Sequence, residues 1–131
     1  MTPRVLIVIA AIAGAAAVTT GAFGAHGLGD FLQSKGLEPD LVERRLAQFD
    51  TAARYHLVHA VVLLALLPLL QQGGKSIAAA AWMMTAGMVF FSGSLYVLVL
   101  TNTPWLGAIT PIGGALWITA WILLAFAPLR R

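Results

Sequence analysis

Most of the side chains that could take part in chemistry lie inside strongly apolar stretches or at their ends. His26 ends the run "VTTGAFGAH", and His56 and His59 stand in "YHLVHAVVLL". Ser92 and Ser94 follow in "FSGSLY". Three imidazoles are a plausible set of zinc ligands, and a serine beside an imidazole is the core of a hydrolase. A plain hydrogen-bond network between helices is the third possibility.

A zinc site does not fit the spacing of the histidines. His56 and His59 lie within about 60° of each other on a helical face. Counting helical rise along the first two apolar segments separates His26 from His59 by about 15 Å, unless the end of the first segment dips inward. Zinc ligands lie only about 2.1 Å from the metal. No Asp or Glu stands in the apolar stretches, so we expect no metal and no cofactor.

A hydrolase site would lack the carboxylate that orients the histidine. Ser92 or Ser94 beside His59 would need a group to orient the imidazole, and only His26 or Tyr55 is placed to take the role of the missing carboxylate. We therefore assign no catalytic residues, and a membrane-embedded enzyme is the third interpretation of function.

The composition defines the class of protein. Of the 131 residues, 60% are hydrophobic and 10% are charged, whereas soluble domains carry roughly 25% charged residues. The eight Lys and Arg residues give a net charge of +3, but they are scattered and form no basic stripe for nucleic acid. The absence of cysteine excludes disulfides and thiol chemistry. The expected partner is the lipid bilayer, and nucleic acid is excluded.

The charges divide the chain into four apolar segments, at about residues 5–25, 52–70, 76–100 and 104–127. The first contains 21 residues, which span about 31 Å as a helix and match a hydrocarbon layer of about 30 Å. Hydrocarbon leaves no water for exposed backbone groups, so the segments must be helices. We predict an all-α membrane protein with a single four-span domain over 1–131, a four-helix transmembrane bundle. A cleaved signal peptide is the competing interpretation of the first segment, but its uncharged run is longer than usual.

The polar segment 26–51 precedes a long second helix. Residues 30–35 predict a short helix that stops at Gly36, and Pro39 suits the first turn of the next helix. No further breaker follows before Pro68. A helix over 39–70 is about 48 Å long, so about 18 Å of it must project beyond the hydrocarbon. We predict one nearly continuous, partly extramembrane second helix, supported by an Asp50–Arg54 pair.

The ordered motifs "GAFGAHGL", "YHLVHAVVLL", "FSGSLY" and "ITPIGG", with Trp121 after them, resemble the small membrane proteins grouped as domain of unknown function 423. That family includes bacterial YgdD-type inner-membrane proteins and the eukaryotic transmembrane protein 256. The resemblance implies four spans and a bacterial inner membrane, and it supplies no reaction. One departure is Ala120, where the family pattern leads us to expect glycine. The matching positions are His26, Tyr55, His59, Ser92, Gly93, Ser94, Tyr96, Thr110, Pro111, Gly113 and Gly114.

Counting helical rise brings several polar residues to similar depths. If Leu70 marks the far face, His59 lies about 16 Å above it, Thr110 about 22 Å and Ser94 about 27 Å. We predict a polar pocket in the loop-side half of the bundle, with His26 as its lid. We expect His59 to face the interior, neutral and hydrogen-bonded to a serine, Thr110 or a freed carbonyl. The candidate pocket residues are His26, Arg54, Tyr55, His59, Ser92, Ser94, Tyr96 and Thr110.

Pro111 predicts a kink inside the fourth helix, because it removes one backbone donor and frees the carbonyl of Gly107. Gly113 and Gly114 predict close packing beside that kink. Broken helices line the substrate sites of transporters, although proline kinks are also common in ordinary membrane helices.

Charge leaves the orientation tied, because four Lys and Arg residues fall on each side. We expect cytoplasmic termini, since their charges lie close to the span ends and the resemblance points the same way. The leading functional hypothesis is a non-enzymatic module that packs with itself or with partner membrane proteins and holds a polar pocket. The alternative is a small transporter or channel-like protein for a solute, ion or proton.

Overall fold

A computed structural model describes residues 1–72 and 74–127, and within them every regular element is helical. Four stretches are long and apolar enough to cross a membrane, namely Pro3–His26, Pro39–Gln71, Lys75–Thr101 and Pro104–Ala125. The predicted all-α, four-span architecture is therefore confirmed. Arg130 and Arg131, which entered the charge count, lie outside the described residues. The α-helices are α1 (Pro3–His26), α2 (Leu28–Ser34), α3 (Pro39–Ala65), α4 (Leu67–Gln71), α5 (Lys75–Gly87), α6 (Ser94–Thr101) and α7 (Thr110–Ala125).

The second span is one long helix, as predicted. Gly36 has a positive φ of 74° and ends the short helix before it, and Pro39 occupies the first turn of α3. No break interrupts α3, and only the single turn at Leu66 separates it from α4. Arg54 Nε lies 2.8 Å from Asp50 Oδ2, one helical turn earlier, and both side chains are exposed.

The third span contains a π-helix, Met88–Gly93, between α5 and α6. Such a helix accommodates one extra residue per turn and is found frequently at functional sites. No breaker residue marks this π-helix in the sequence, so it was not predicted. The span ends at Asn102, whose left-handed backbone (φ 49°) closes α6.

The fourth span corrects the prediction for Pro111. It opens with a 3₁₀-helix, Pro104–Ala108, and becomes α-helical only at Thr110. Pro111 therefore lies in the first turn of α7 and not inside a continuous helix. Proline fits there because the first turn has no internal partner for its missing N–H.

Helix packing gives the bundle a simple order. α3 packs against α1 on one side and against the third span on the other, and α7 packs against α5 and the π-helix. The second and third spans are therefore central. One core cluster joins all four spans towards the termini, and a second lies at the loop end. In the second, α2 buries Leu28 and Leu32 against Phe49 of α3.

Candidate functional site

The predicted polar residues do not form one layer, because the structure separates them into sets on different faces of α3. The first set borders an open groove of about 510 Å³ beside α3, the π-helix and α7. We call it the His59 groove. Its lining is Arg54, Tyr55, Val58, His59, Phe91, Gly114, Trp117, Ile118 and Trp121.

His59 lies on the inner wall of this groove and is only 4% exposed. Its ring stacks on the indole of Trp117, with 3.7 Å between centroids and 5° between planes. Its Nδ1 lies 2.7 Å from the carbonyl oxygen of Tyr55. His59 thus faces the interior and is hydrogen-bonded, as expected, but its partner is a carbonyl of its own helix and not a group on a neighbouring helix.

The hydrogen bond to Tyr55 assigns the two ring nitrogens. A carbonyl oxygen only accepts, so Nδ1 must carry the hydrogen and donate. In the neutral ring, Nε2 is then an acceptor with a free lone pair. No hydrogen bond joins His59 Nε2 to any other described residue. His59 Nε2 is therefore an unpaired acceptor on the wall of a mainly aromatic and aliphatic groove, which the hydroxyl-bearing Tyr55 and the indole of Trp121 also line.

Trp117 is buried in the wall of the groove and is held against α5. It is 4% exposed, and its Nε1 donates to the carbonyl oxygen of Met84, 3.1 Å away on α5. A Cβ on Gly87 would collide with the indole ring, so glycine is required there for the indole to lie against α5. Tyr55 lies nearly parallel to the same indole, at 11° and 5.6 Å. Phe91 completes the cluster at 4.7 Å from Trp117.

Two residues stand at the rim of the groove. The guanidinium of Arg54 is exposed and paired with Asp50. Trp121 is 49% exposed and has no ring–ring contact within 1–72 and 74–127. Each has a surface that a bound molecule can contact.

The serines and Thr110 act as links between helices. Ser92 is fully buried and donates to the carbonyl oxygen of Ala52 in α3, at 2.9 Å. Ser94 Oγ lies 3.0 Å from the carbonyl oxygen of Phe91 and 2.9 Å from Thr110 Oγ1. Ser92 in the π-helix thus binds the second span, and Ser94 at the start of α6 binds the fourth. Neither serine is hydrogen-bonded to His59 in the described structure.

Tyr96 belongs to a separate network on the other side of α3. Its hydroxyl lies 3.0 Å from Thr20 Oγ1 and 3.3 Å from His56 Nδ1. Thr20 in turn donates to carbonyl oxygens of its own helix, at 3.0 and 3.1 Å. A second groove of about 410 Å³, bordered by α1 and the third span, opens beside His56 and Tyr96.

His26 is not the lid that its depth suggested. Its side chain is exposed and makes no hydrogen bond within the described part of the chain. It lies 20 residues after the buried Leu6, which at about 100° per residue is about 200° around the helix. The buried face of α1 therefore points away from His26, and the prediction that it covers the pocket was wrong.

Of the candidate packing glycines, Gly113 makes the closest approach. A Cβ there would collide with the backbone of Phe91 in the π-helix. At Gly114, by contrast, a Cβ would meet only Phe91 Cδ2 at 4.0 Å. Ala120, where glycine was expected, is fully buried without any such conflict.

A buried cation at the loop end was not predicted from the sequence. Arg45 is 7% exposed, and its Nε and Nη2 donate to Asn102 Oδ1 at 3.1 and 2.6 Å. Its Nη1 donates to Gln48 Oε1 at 2.8 Å. The signal was present but ambiguous, because Arg45 directly follows Arg44 and charged side chains at the projecting end of a helix are usually solvated.

Trp117 was also not predicted as a site residue, since a tryptophan in an apolar span usually faces lipid. Its position four residues before Trp121 and the glycine at 87 were the available signals. Among the described residues, no group of three or more His, Cys, Asp or Glu side chains could hold a metal ion.

The comparisons with known proteins agree with this architecture. The UPF0382 membrane protein YwdK of Bacillus subtilis is 41% identical over 129 residues, covering 97% of this chain and 98% of the relative. A UPF0382 membrane protein of Staphylococcus epidermidis is 40% identical, with 97% of each chain covered. No solved structure matches. A family described as "Protein of unknown function (DUF423)" matches residues 20–114, and the chain belongs to this family of membrane proteins.

Proposed function

We propose that the protein is a non-enzymatic binding module of the membrane and that its ligand occupies the His59 groove. One observation carries the proposal: an acceptor atom without a protein partner, His59 Nε2, lies in a groove walled by aromatic rings. Sites for small molecules are commonly apolar, of about 300–1,000 Å³, with few polar groups that fix orientation. A groove of about 510 Å³ fits that description.

The position of the groove supports a ligand that arrives from the bilayer. Val58 and Ile118, on its two flanks, are 55% and 64% exposed. Exposed aliphatic side chains on apolar spans face lipid, so the ligand is lipid-soluble and enters sideways. Arg54 at the rim marks the end nearer the water.

The hydrogen bonds of the serines favour binding over catalysis. Ser92 and Ser94 are engaged with backbone carbonyls, and a nucleophile needs a base within hydrogen-bond reach. Neither serine is hydrogen-bonded to His59 in the described structure, so the Nε2 lone pair has no nucleophile to activate and is available to a ligand.

The experiment blocks the groove without altering the core. Gly114→Leu places a side chain in the groove, and Ala115→Leu adds bulk to the neighbouring, exposed position as a matched control. Native mass spectrometry of protein extracted in lipid nanodiscs should detect a bound amphiphile in the original chain and in Ala115→Leu. Gly114→Leu should lose it. Equal occupancy in all three proteins, or none in any, would contradict the proposal.

Transport of a small solute, ion or proton is the second candidate function. It is favoured by the coincidence of two irregular segments, the π-helix Met88–Gly93 and the 3₁₀-to-α change before Thr110. The Ser94–Thr110 contact joins them. Flux into proteoliposomes that falls in Thr110→Val but not in Gly114→Leu would favour this candidate over the binding module.

We further propose a bacterial inner (plasma) membrane location with both termini in the cytoplasm. The chain has no cysteine, so single-cysteine variants Lys35→Cys and Lys75→Cys report topology without background. A membrane-impermeant maleimide on intact cells should label position 35 and spare position 75. The opposite pattern would reverse the orientation.

The proposed module also meets other membrane proteins, or a second copy of itself, through α1. Gly14 and Gly21 support this, because a Cβ at either position would contact nothing within 4 Å, and small residues let helices approach closely. Gly14→Leu should abolish a crosslinked dimer or complex recovered from mild detergent. A monomer in both proteins would remove this part of the proposal.

A further inference from the structure

We infer that the ligand of the His59 groove is an aromatic alcohol with a hydrocarbon tail, a phenol or hydroquinone, whose hydroxyl donates to His59 Nε2. This inference rests on the proposed binding function and specifies its ligand. Three features carry it: the polarity of His59 Nε2, the aromatic rings of the wall and the aliphatic flanks of the groove.

The polarity selects the ligand's functional group. Because Nδ1 donates to the Tyr55 carbonyl, neutral His59 offers only an acceptor to the groove. A ligand group that only accepts, such as an ester or a quinone carbonyl, cannot bond to His59 Nε2 and would leave two acceptors facing each other at that atom. A hydroxyl supplies the missing hydrogen and completes the bond.

The wall selects a flat ring. The rings of Tyr55 and His59 are stacked on Trp117, within 11° and 5° of parallel to its indole, so the inner wall of the groove is built from ordered aromatic rings. Trp121, half exposed and without a ring partner in the described structure, stands at the rim. Aromatic rings bind one another in offset or edge-to-face arrangements, so a planar ring gains contacts here that an alkyl chain does not.

The flanks select a hydrocarbon tail. Val58 and Ile118 are aliphatic, exposed and on opposite helices that border the groove. A tail running between them would extend from the ring into the surrounding lipid. A ligand without a tail would not be held in the bilayer at the depth of His59.

The test uses three probes with the same octyl chain, added to the full-length protein in nanodiscs of phosphatidylethanolamine and phosphatidylglycerol. 4-Octylphenol has both ring and hydroxyl, 4-octylanisole has the ring without the donor, and 1-octanol has the donor without the ring. Tryptophan fluorescence titration gives each affinity. The phenol should bind about tenfold more tightly than the anisole, the effect of one neutral hydrogen bond.

Variants assign this difference to the residues named. His59→Leu should bind phenol and anisole equally, and Trp121→Leu, at a half-exposed position that leaves folding unaffected, should weaken both. Trp82→Leu is the matched control: Trp82 is 50% exposed and lies outside the groove. It should keep the tenfold preference. A decylhydroquinone should likewise bind more tightly than the corresponding quinone.

The experiment distinguishes a wrong ligand class from a failure of the binding function itself. If phenol and anisole, or phenol and octanol, bind equally well and Gly114→Leu abolishes both, the groove binds ligands but the inferred class is wrong. A quinone that binds more tightly than its hydroquinone would also overturn the class. If no probe binds and no amphiphile copurifies, the binding function fails with it.

Discussion

His59 is oriented by two contacts of different kinds, a hydrogen bond to a carbonyl of its own helix and a stack on Trp117. The carbonyl of Tyr55 can also accept the backbone N–H one turn later in α3, so it keeps a partner when the imidazole is removed. The histidine is therefore not needed to satisfy any other buried group. A hydrogen bond from His59 to another helix would make the His59→Asn variant more stable than His59→Leu. The contacts of His59 predict the opposite order.

His59→Leu should lose about 1 kcal/mol, the contribution of one aromatic pair, whereas His59→Asn should lose about 1–3 kcal/mol more. The reason is that asparagine buries an amide among rings that cannot satisfy both of its ends. Thermal unfolding in detergent measures the order. A more stable Asn variant would mean that His59 bonds across helices.

The adjacent glycines 113 and 114 provide a second comparison at single-residue resolution. Gly113→Ala should lose about 1–3 kcal/mol, because its Cβ would press on the backbone of Phe91, which cannot move as a side chain can. Gly114→Ala should be neutral or slightly stabilising, since alanine favours a helix and space is present. Equal losses in thermal unfolding would show that α7 does not approach the π-helix this closely.

The end of the third span is held in place by a side chain from the second span. Two nitrogens of Arg45 donate to the single Oδ1 of Asn102, and Asn102 itself closes α6 in a left-handed conformation that asparagine tolerates well. The contact ties the loop end of α6 to the projecting half of α3.

Substitutions at Asn102 separate these two contributions. Asn102→Gly keeps the backbone but loses the acceptor, which should cost about 1.5–3 kcal/mol for hydrogen bonds to a charged group. Asn102→Ala should lose roughly 1 kcal/mol more through backbone strain. Asn102→Asp should be at least as stable as the original in thermal unfolding, because a carboxylate accepts from the guanidinium. An aspartate variant as unstable as alanine would refute the contact.

Elements set by local chemistry were predictable, and those set by neighbouring helices were not. Gly36 and Pro39 mark the ends of helices by their own backbone preferences, so α3 was predicted correctly. The π-helix depends on how the third span fits its neighbours. His26 was misplaced because a count of helical rise gives depth but ignores direction around the helix. Ser94 and Thr110 lie at similar depths and also face each other around their helices, and their hydroxyl groups are in contact.

The second span is longer than the hydrocarbon layer of a bilayer is thick. The helical stretch Pro39–Gln71 has 33 residues, about 49 Å against a hydrocarbon layer of about 30 Å. Its first part packs under α2, which buries Leu28 and Leu32. The bundle therefore carries a small helical cap outside the hydrocarbon on one side.

Cysteine labelling in membranes tests this extent. Glu43→Cys should react with a water-soluble maleimide from the loop side, because about a third of the helix stands in water or among headgroups. Leu64→Cys, on an exposed but lipid-facing position of the same helix, should stay unlabelled from both sides. Protection of position 43 would mean that the whole of α3 lies at membrane depth.

The π-helix also sets how far α6 is rotated about the helix axis relative to α5. One residue fewer within Met88–Gly93 would restore a plain α-helix and turn everything beyond it by about 100°. Trp117 would still find Gly87 and the Met84 carbonyl, which precede the π-helix. Ser94 and Tyr96 would swing away from Thr110 and Thr20. A single added residue thus coordinates the two sides of the bundle, keeping the His59 groove and the Tyr96 network in register with each other.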